Sequence, residues 1–81
     1  MKITIQLFAI LREAAGASQL DLEIPAPTTA RQVAQILAER FPKLRGHLPV
    51  VSFAVNGEIV AAETTVPDGG EVALLPPVSG G

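Results

Sequence analysis

Few side chains in this 81-residue sequence could do covalent chemistry on their own. There is no cysteine, which removes a thiol nucleophile, a disulfide framework and a thiolate zinc site. His47 is the single histidine and sits beside Gly46 in a predicted loop, where the bland reading is a solvated side chain. No Ser-His-acid set, metal-ligand spacing or phosphate loop is present. Gly69-Gly70 follows Pro67-Asp68 and precedes a predicted strand, so the pair belongs to a turn rather than a phosphate cradle. The eight carboxylates are scattered through strands, turns and helix faces and form no acid/base pair. The remaining reactive group is the carboxylate of Gly81, the last residue of the sequence.

That carboxylate sits on an unusual leader, Pro76-Pro77-Val78-Ser79-Gly80-Gly81. The two prolines fix φ and stiffen the exit from whatever precedes them. The four residues after them span about 13–14 Å when extended. Without side chains, Gly80 and Gly81 could thread a narrow tunnel into another protein's active site. A carboxylate is a poor electrophile as it stands. Adenylation by a partner using ATP would turn it into a mixed anhydride, which a sulfur donor could attack. The product, a thiocarboxylate, would hold sulfur on the backbone terminus, where no cysteine is needed.

The elements that must position this tail are legible from their periods. Lys2 to Leu7 alternates polar and apolar, predicting a half-buried strand with Ile3, Ile5 and Leu7 inward. Phe8 falls out of phase, on the face of Thr4 and Gln6. Leu11 to Gly16 reads as a short helical turn ended by glycine. Gln19 to Ile24 alternates again and should pair with the first strand as a hairpin, stopped by Pro25 and Pro27. Thr29 with Gln32 is a capping-box pattern. It opens a helix whose buried stripe is Ala30, Val33, Ala34, Ile36, Leu37 and Phe41, and Pro42 ends that helix near Phe41. Lys43 to Pro49 reads as a loop. Val50 to Val55 is a third strand with Val51, Phe53 and Val55 on one face. Asn56-Gly57 is a hairpin turn, because both positions must tolerate positive φ. Glu58 to Ala61 returns as a short strand, Pro67 to Gly70 turns, and Glu71 to Leu75 is the last strand. The pattern is an α+β domain of two layers, a mixed sheet of four to five strands with one main helix across one face. Residues 1–77 form the domain, and 78–81 are expected to be a mobile C-terminal tail.

Composition narrows the classes of partner. Eighty-one residues make one domain, which buries only about 60% of the surface of its unfolded chain. An apolar content of 48% can fill that core without metal or disulfide. Six basic against eight acidic residues give a net charge of −2, with three phenylalanines as the only aromatics. That is neither the basic stripe nor the stacking platform of a nucleic-acid binder. Gln6, Arg12 and Glu13 break the apolar stretch after Lys2, unlike a secretory signal. No segment approaches the ~20 apolar residues of a membrane span. A soluble cytoplasmic protein with no nucleic-acid or membrane partner is expected.

Three segments carry a family resemblance. Asp68 to Gly81, ending Pro-Pro-Val-Ser-Gly-Gly, resembles the C-terminal signature of molybdopterin synthase small subunits, the ubiquitin-like sulfur carriers. Leu7 to Glu13 resembles their first strand and turn, and Asn56-Gly57 stands where they have a hairpin. The likeness spans essentially the whole chain, with Leu74-Leu75 departing where some members carry aromatics. It implies a β-grasp fold, with first and last strands side by side in the middle of the sheet. It also implies that an activating enzyme related to ubiquitin E1 adenylates Gly81 with ATP. A sulfur donor protein would then leave a thiocarboxylate there.

The tail of Val78, Ser79, Gly80 and Gly81 would insert into the large subunit and deliver sulfur twice to cyclic pyranopterin monophosphate, building the molybdopterin dithiolene. The large subunit would supply the catalytic side chains, in a heterotetramer with two small subunits at opposite ends of a large-subunit dimer. This chain would bind no cofactor and would be a sulfur-donating subunit, not an enzyme on its own. Phe8, Leu75, Pro76 and Pro77 are the expected partner surface, with Arg12 as a candidate for pairing with partner carboxylates. Three other readings stand beside this one: a thiazole-synthesis sulfur carrier, a protein modifier joined through Gly81 to lysines, and an interaction module without tail chemistry.

Overall fold

The computed structural model describes residues 1–77, and Val78, Ser79, Gly80 and Gly81 lie outside the described residues. The elements run β1 (Lys2–Leu7), α1 (Ile10–Ala15), β2 (Gln19–Glu23), α2 (Ala30–Arg40), β3 (Ser52–Val55), β4 (Glu58–Val60) and β5 (Glu71–Leu75). They build one five-stranded sheet in the order β2-β1-β5-β3-β4. β1 and β5 are parallel neighbours, with Ile5 opposite Val72 and Leu7 opposite Leu74. Every other pairing is antiparallel. The first and last strands therefore lie side by side inside the sheet, which is the β-grasp arrangement.

Alternation sorts the side chains as the sequence period requires. Ile3, Ile5 and Leu7 of β1 and Val72 and Leu74 of β5 are buried, together with Ala30, Val33, Ala34 and Leu37 of α2. Ile36 and Phe41, expected fully within the stripe, are only half-buried at its border. The capping box is complete: the Gln32 amide donates to Thr29 Oγ1 at 3.2 Å, and the Thr29 amide donates to Gln32 Oε1 at 2.9 Å. The next amides of the helix start are satisfied from outside, Ala30 donating to the Thr64 carbonyl and Arg31 to that of Ala62. That leaves no orphan donor in the first turn of α2 for solvent to compete for.

Three local expectations need correction. Lys43 to Pro49 is not a plain loop: the stretch from Pro42 forms two 3₁₀ turns, Pro42–Leu44 and Leu48–Val50, which drive Leu44 and Leu48 into the core. Val50 consequently belongs to the second turn, and β3 starts at Ser52. β4 ends at Val60, one residue earlier than the alternation indicated. The two turns were hidden because their short i to i+3 repeat leaves only single buried leucines, with no apolar period to read. The hairpin turn behaves as expected, with φ of 50° at Asn56 and 86° at Gly57.

Candidate functional site: the sheet face at the root of the tail

β5 occupies the middle of the sheet and ends at Leu75, so the chain leaves the domain beside β1 and β3. Ser52 of β3 is the registered partner of Leu75. Beyond Leu75, Pro76 is half-buried and Pro77 exposed. Neither proline offers an N–H to extend the ladder, which releases the chain at that point.

Phe8 stands one position past the last registered β1–β5 pair, Leu7 with Leu74, as Leu75 does on the neighbouring strand. Phe8 is 43% exposed, and Leu75 is half-buried. What halts β1 at this point is a tight turn. The Leu11 amide donates to the Phe8 carbonyl at 3.0 Å, and Ala9 takes φ 52°, ψ −125°, a region that glycine enters freely and alanine does not. The turn feeds α1, which closes on Gly16 at φ 77° with its amide bonded to the Arg12 carbonyl. Arg12 is exposed on α1 and shares with Phe8 a surface hollow of about 230 Å³, also bounded by Gln6, Ser18 and Gln19.

The structure thus brings Phe8 and Leu75 to adjacent strand ends, and Phe8 and Arg12 to one hollow. Gly81, Gly80, Ser79 and Val78 lie outside the described residues. Sequence reasoning missed the rest of this face. Registry aligns Gln6 with Ala73, Ala73 with Ala54, and Ala54 with Ile59, a row crossing four strands on the side away from α2. It ends in Ile59, the most exposed large apolar residue of the domain at 69%. The signal was available: a two-residue Asn56-Gly57 turn forces Val55 opposite Glu58, and hence Ala54 opposite Ile59, on the face away from Phe53.

No group of three or more His, Cys, Asp or Glu side chains among the described residues could hold a metal ion. No helix among them is long and apolar enough to cross a membrane. The site is an apolar sheet face at the foot of a proline-stiffened exit, and such a face suits docking rather than bond-breaking.

A β-grasp domain whose central last strand runs into a Gly-Gly tail defines the class as ubiquitin-like. The chain belongs to the ThiS family, whose model matches residues 5–81. It is 33% identical to the molybdopterin synthase sulfur carrier subunit of Mycobacterium tuberculosis, over 100% of this chain and 99% of that one. Among solved structures it resembles a putative molybdopterin converting factor subunit 1 from Pyrococcus furiosus. The TM-score there is 0.86 at 27% identity, covering 96% of this chain and 99% of the other. It also resembles the small archaeal modifier protein 1 of Methanosarcina acetivorans, with TM-score 0.80 and 30% identity over 99% and 96% of the two chains.

Proposed function

We propose that this chain is the sulfur-carrier subunit of a molybdopterin synthase and that its working group is the Gly81 carboxylate. The observation that carries the reading is the placement of β5: the central strand delivers Pro76 and Pro77 to the rim of the sheet next to Phe8. A tail leaving there can enter a partner while the adjoining face is covered by that partner. Full-length similarity to a carrier of that name supports the same reading.

A carboxylate oxygen of Gly81 attacks the α-phosphorus of ATP on an activating enzyme, and pyrophosphate leaves. A donor supplying a hydrosulfide equivalent attacks the carbonyl carbon, AMP leaves, and one proton is released as the thiocarboxylate forms. The tail of Val78, Ser79 and Gly80 then carries that sulfur into the large subunit, to cyclic pyranopterin monophosphate. Each delivery returns Gly81 as a carboxylate, its replacement oxygen coming from water, and two deliveries build the dithiolene. Phe8, Leu75, Pro76 and Ile59 form the docking face, and Arg12 at its margin pairs with a partner carboxylate. The domain supplies positioning and a leash, while the large subunit supplies the reacting side chains.

A second reading has one specific observation behind it, the likeness to an archaeal modifier protein. There the same activated Gly81 would acylate a lysine instead of accepting sulfur.

The test is intact mass after incubation with ATP, an E1-like activating enzyme and a sulfur source. A gain equal to exchanging one oxygen for one sulfur, abolished by deleting Gly81, is expected. No gain, under conditions that convert a known carrier, would refute the carrier reading. A ladder of lysine conjugates in its place would establish the modifier.

A further inference from the structure

On the opposite layer from the tail-root face, α2 does not close fully against the sheet. Arg31, Ala34, Gln35 and Ala38 lie along one side of the helix, at i, i+3, i+4 and i+7. The groove they border is also lined by Arg45, by Leu48 and Pro49 of the second 3₁₀ turn, by Phe53 of β3 and by Ala62. Together they enclose an open groove of about 420 Å³.

Its charge is out of keeping with the chain. The sequence carries a net −2, yet the groove is lined by two guanidinium groups and no carboxylate. Four of the six basic residues, Arg31, Arg40, Lys43 and Arg45, fall between positions 31 and 45, a stretch holding only one of the eight acidic residues, Glu39. Among the described residues, Arg31 is paired with Glu63, whereas Arg45 has no carboxylate within ion-pair distance. The floor of the groove is apolar, made by the buried side chains of Ala34, Leu48 and Phe53.

We propose that this groove docks an acidic, apolar peptide segment of a partner protein, seating an apolar side chain on the Ala34–Leu48–Phe53 floor and a carboxylate on Arg45. The charge is complementary to such a segment, and the floor distinguishes it from a bare anion site. Because the groove lies across the sheet from Phe8 and Leu75, the segment binds while the tail-root face is engaged elsewhere. A second protein can therefore hold the carrier during its visit to the first.

The experiment is an amide-resolved NMR titration of the full chain with a ten-residue peptide alternating Asp and Leu. Shifts concentrated at Ala34, Ala38, Arg45 and Phe53 are expected. Arg45→Glu should weaken binding roughly fivefold. Ala38→Glu should do likewise, and Phe8→Ala should leave the affinity unchanged. The dispersion of the spectrum checks that each variant is folded. Several results would overturn the proposal. These are no shifts in the groove, equal shifts from a Lys/Leu peptide, equal shifts from an Asp/Ser peptide or inorganic phosphate, or shifts centred on Phe8 and Leu75. Movement of the same groove signals on removing residues 78–81 from the free chain would also overturn it, by making the chain's own tail the occupant.

Discussion

Replacing Phe8 with alanine tests the docking face at its most informative point. Phe8 is 43% exposed in the free domain, so that fraction of the residue's surface remains for a partner to cover. A phenylalanine presents roughly 150–250 Å² in all, which leaves about 65–110 Å². At about 25 cal/mol per Å², covering that area contributes at most about 1.6–2.7 kcal/mol to association. Phe8→Ala should therefore raise the Kd for the large subunit, by up to roughly 15- to 100-fold. The domain itself should survive, because Phe8 stands outside the cluster of buried residues formed by Ile3, Ile5, Leu7 and their neighbours. Isothermal calorimetry reads the affinity, and circular dichroism with a thermal melt reads the fold. An unchanged Kd in a folded variant would refute the assignment of Phe8 to the interface. A collapse of the melt with affinity preserved in the remaining folded fraction would make the ring a structural residue instead.

Two predictions address the fold that presents this face. Ala9→Gly should stabilise the domain by about 1 kcal/mol, because φ 52° with ψ −125° costs alanine more than glycine loses in unfolded-chain entropy. A rise in Tm of about 4–8 °C is the expected readout for a domain of this size. A fall in Tm would show that the turn carries no strain. Leu44→Ala, by contrast, removes a fully buried side chain from a 3₁₀ turn and should cost about 2–5 kcal/mol by denaturant titration. A loss below about 1 kcal/mol would mean that this stretch behaves as the plain loop its sequence resembles.

The parts of this protein determined by sequence alone are those whose causes are local. The periods of β1 and α2, the Thr29–Gln32 capping box and the Asn56-Gly57 turn each depend on residues a few positions apart. The proline-stiffened exit before Gly80-Gly81 is local in the same sense, and the chemistry proposed for Gly81 rests on it. What tertiary structure decided are the meetings between distant segments. Leu44 and Leu48 read as loop residues until α2 and the sheet close over them, since isolated apolar residues have no period to betray their burial. The row from Gln6 to Ile59 exists only because β1 and β5 pair in parallel while β5, β3 and β4 pair antiparallel. The groove beside α2 needs a helix face, a 3₁₀ turn and β3 to converge, and its two arginines are 14 positions apart in a sequence that is acidic overall. Alternation says that a strand has two faces. The apolar residues of that alternation already mark the core face, but only the pairing order of the strands decides which residues of the other face lie together for a partner.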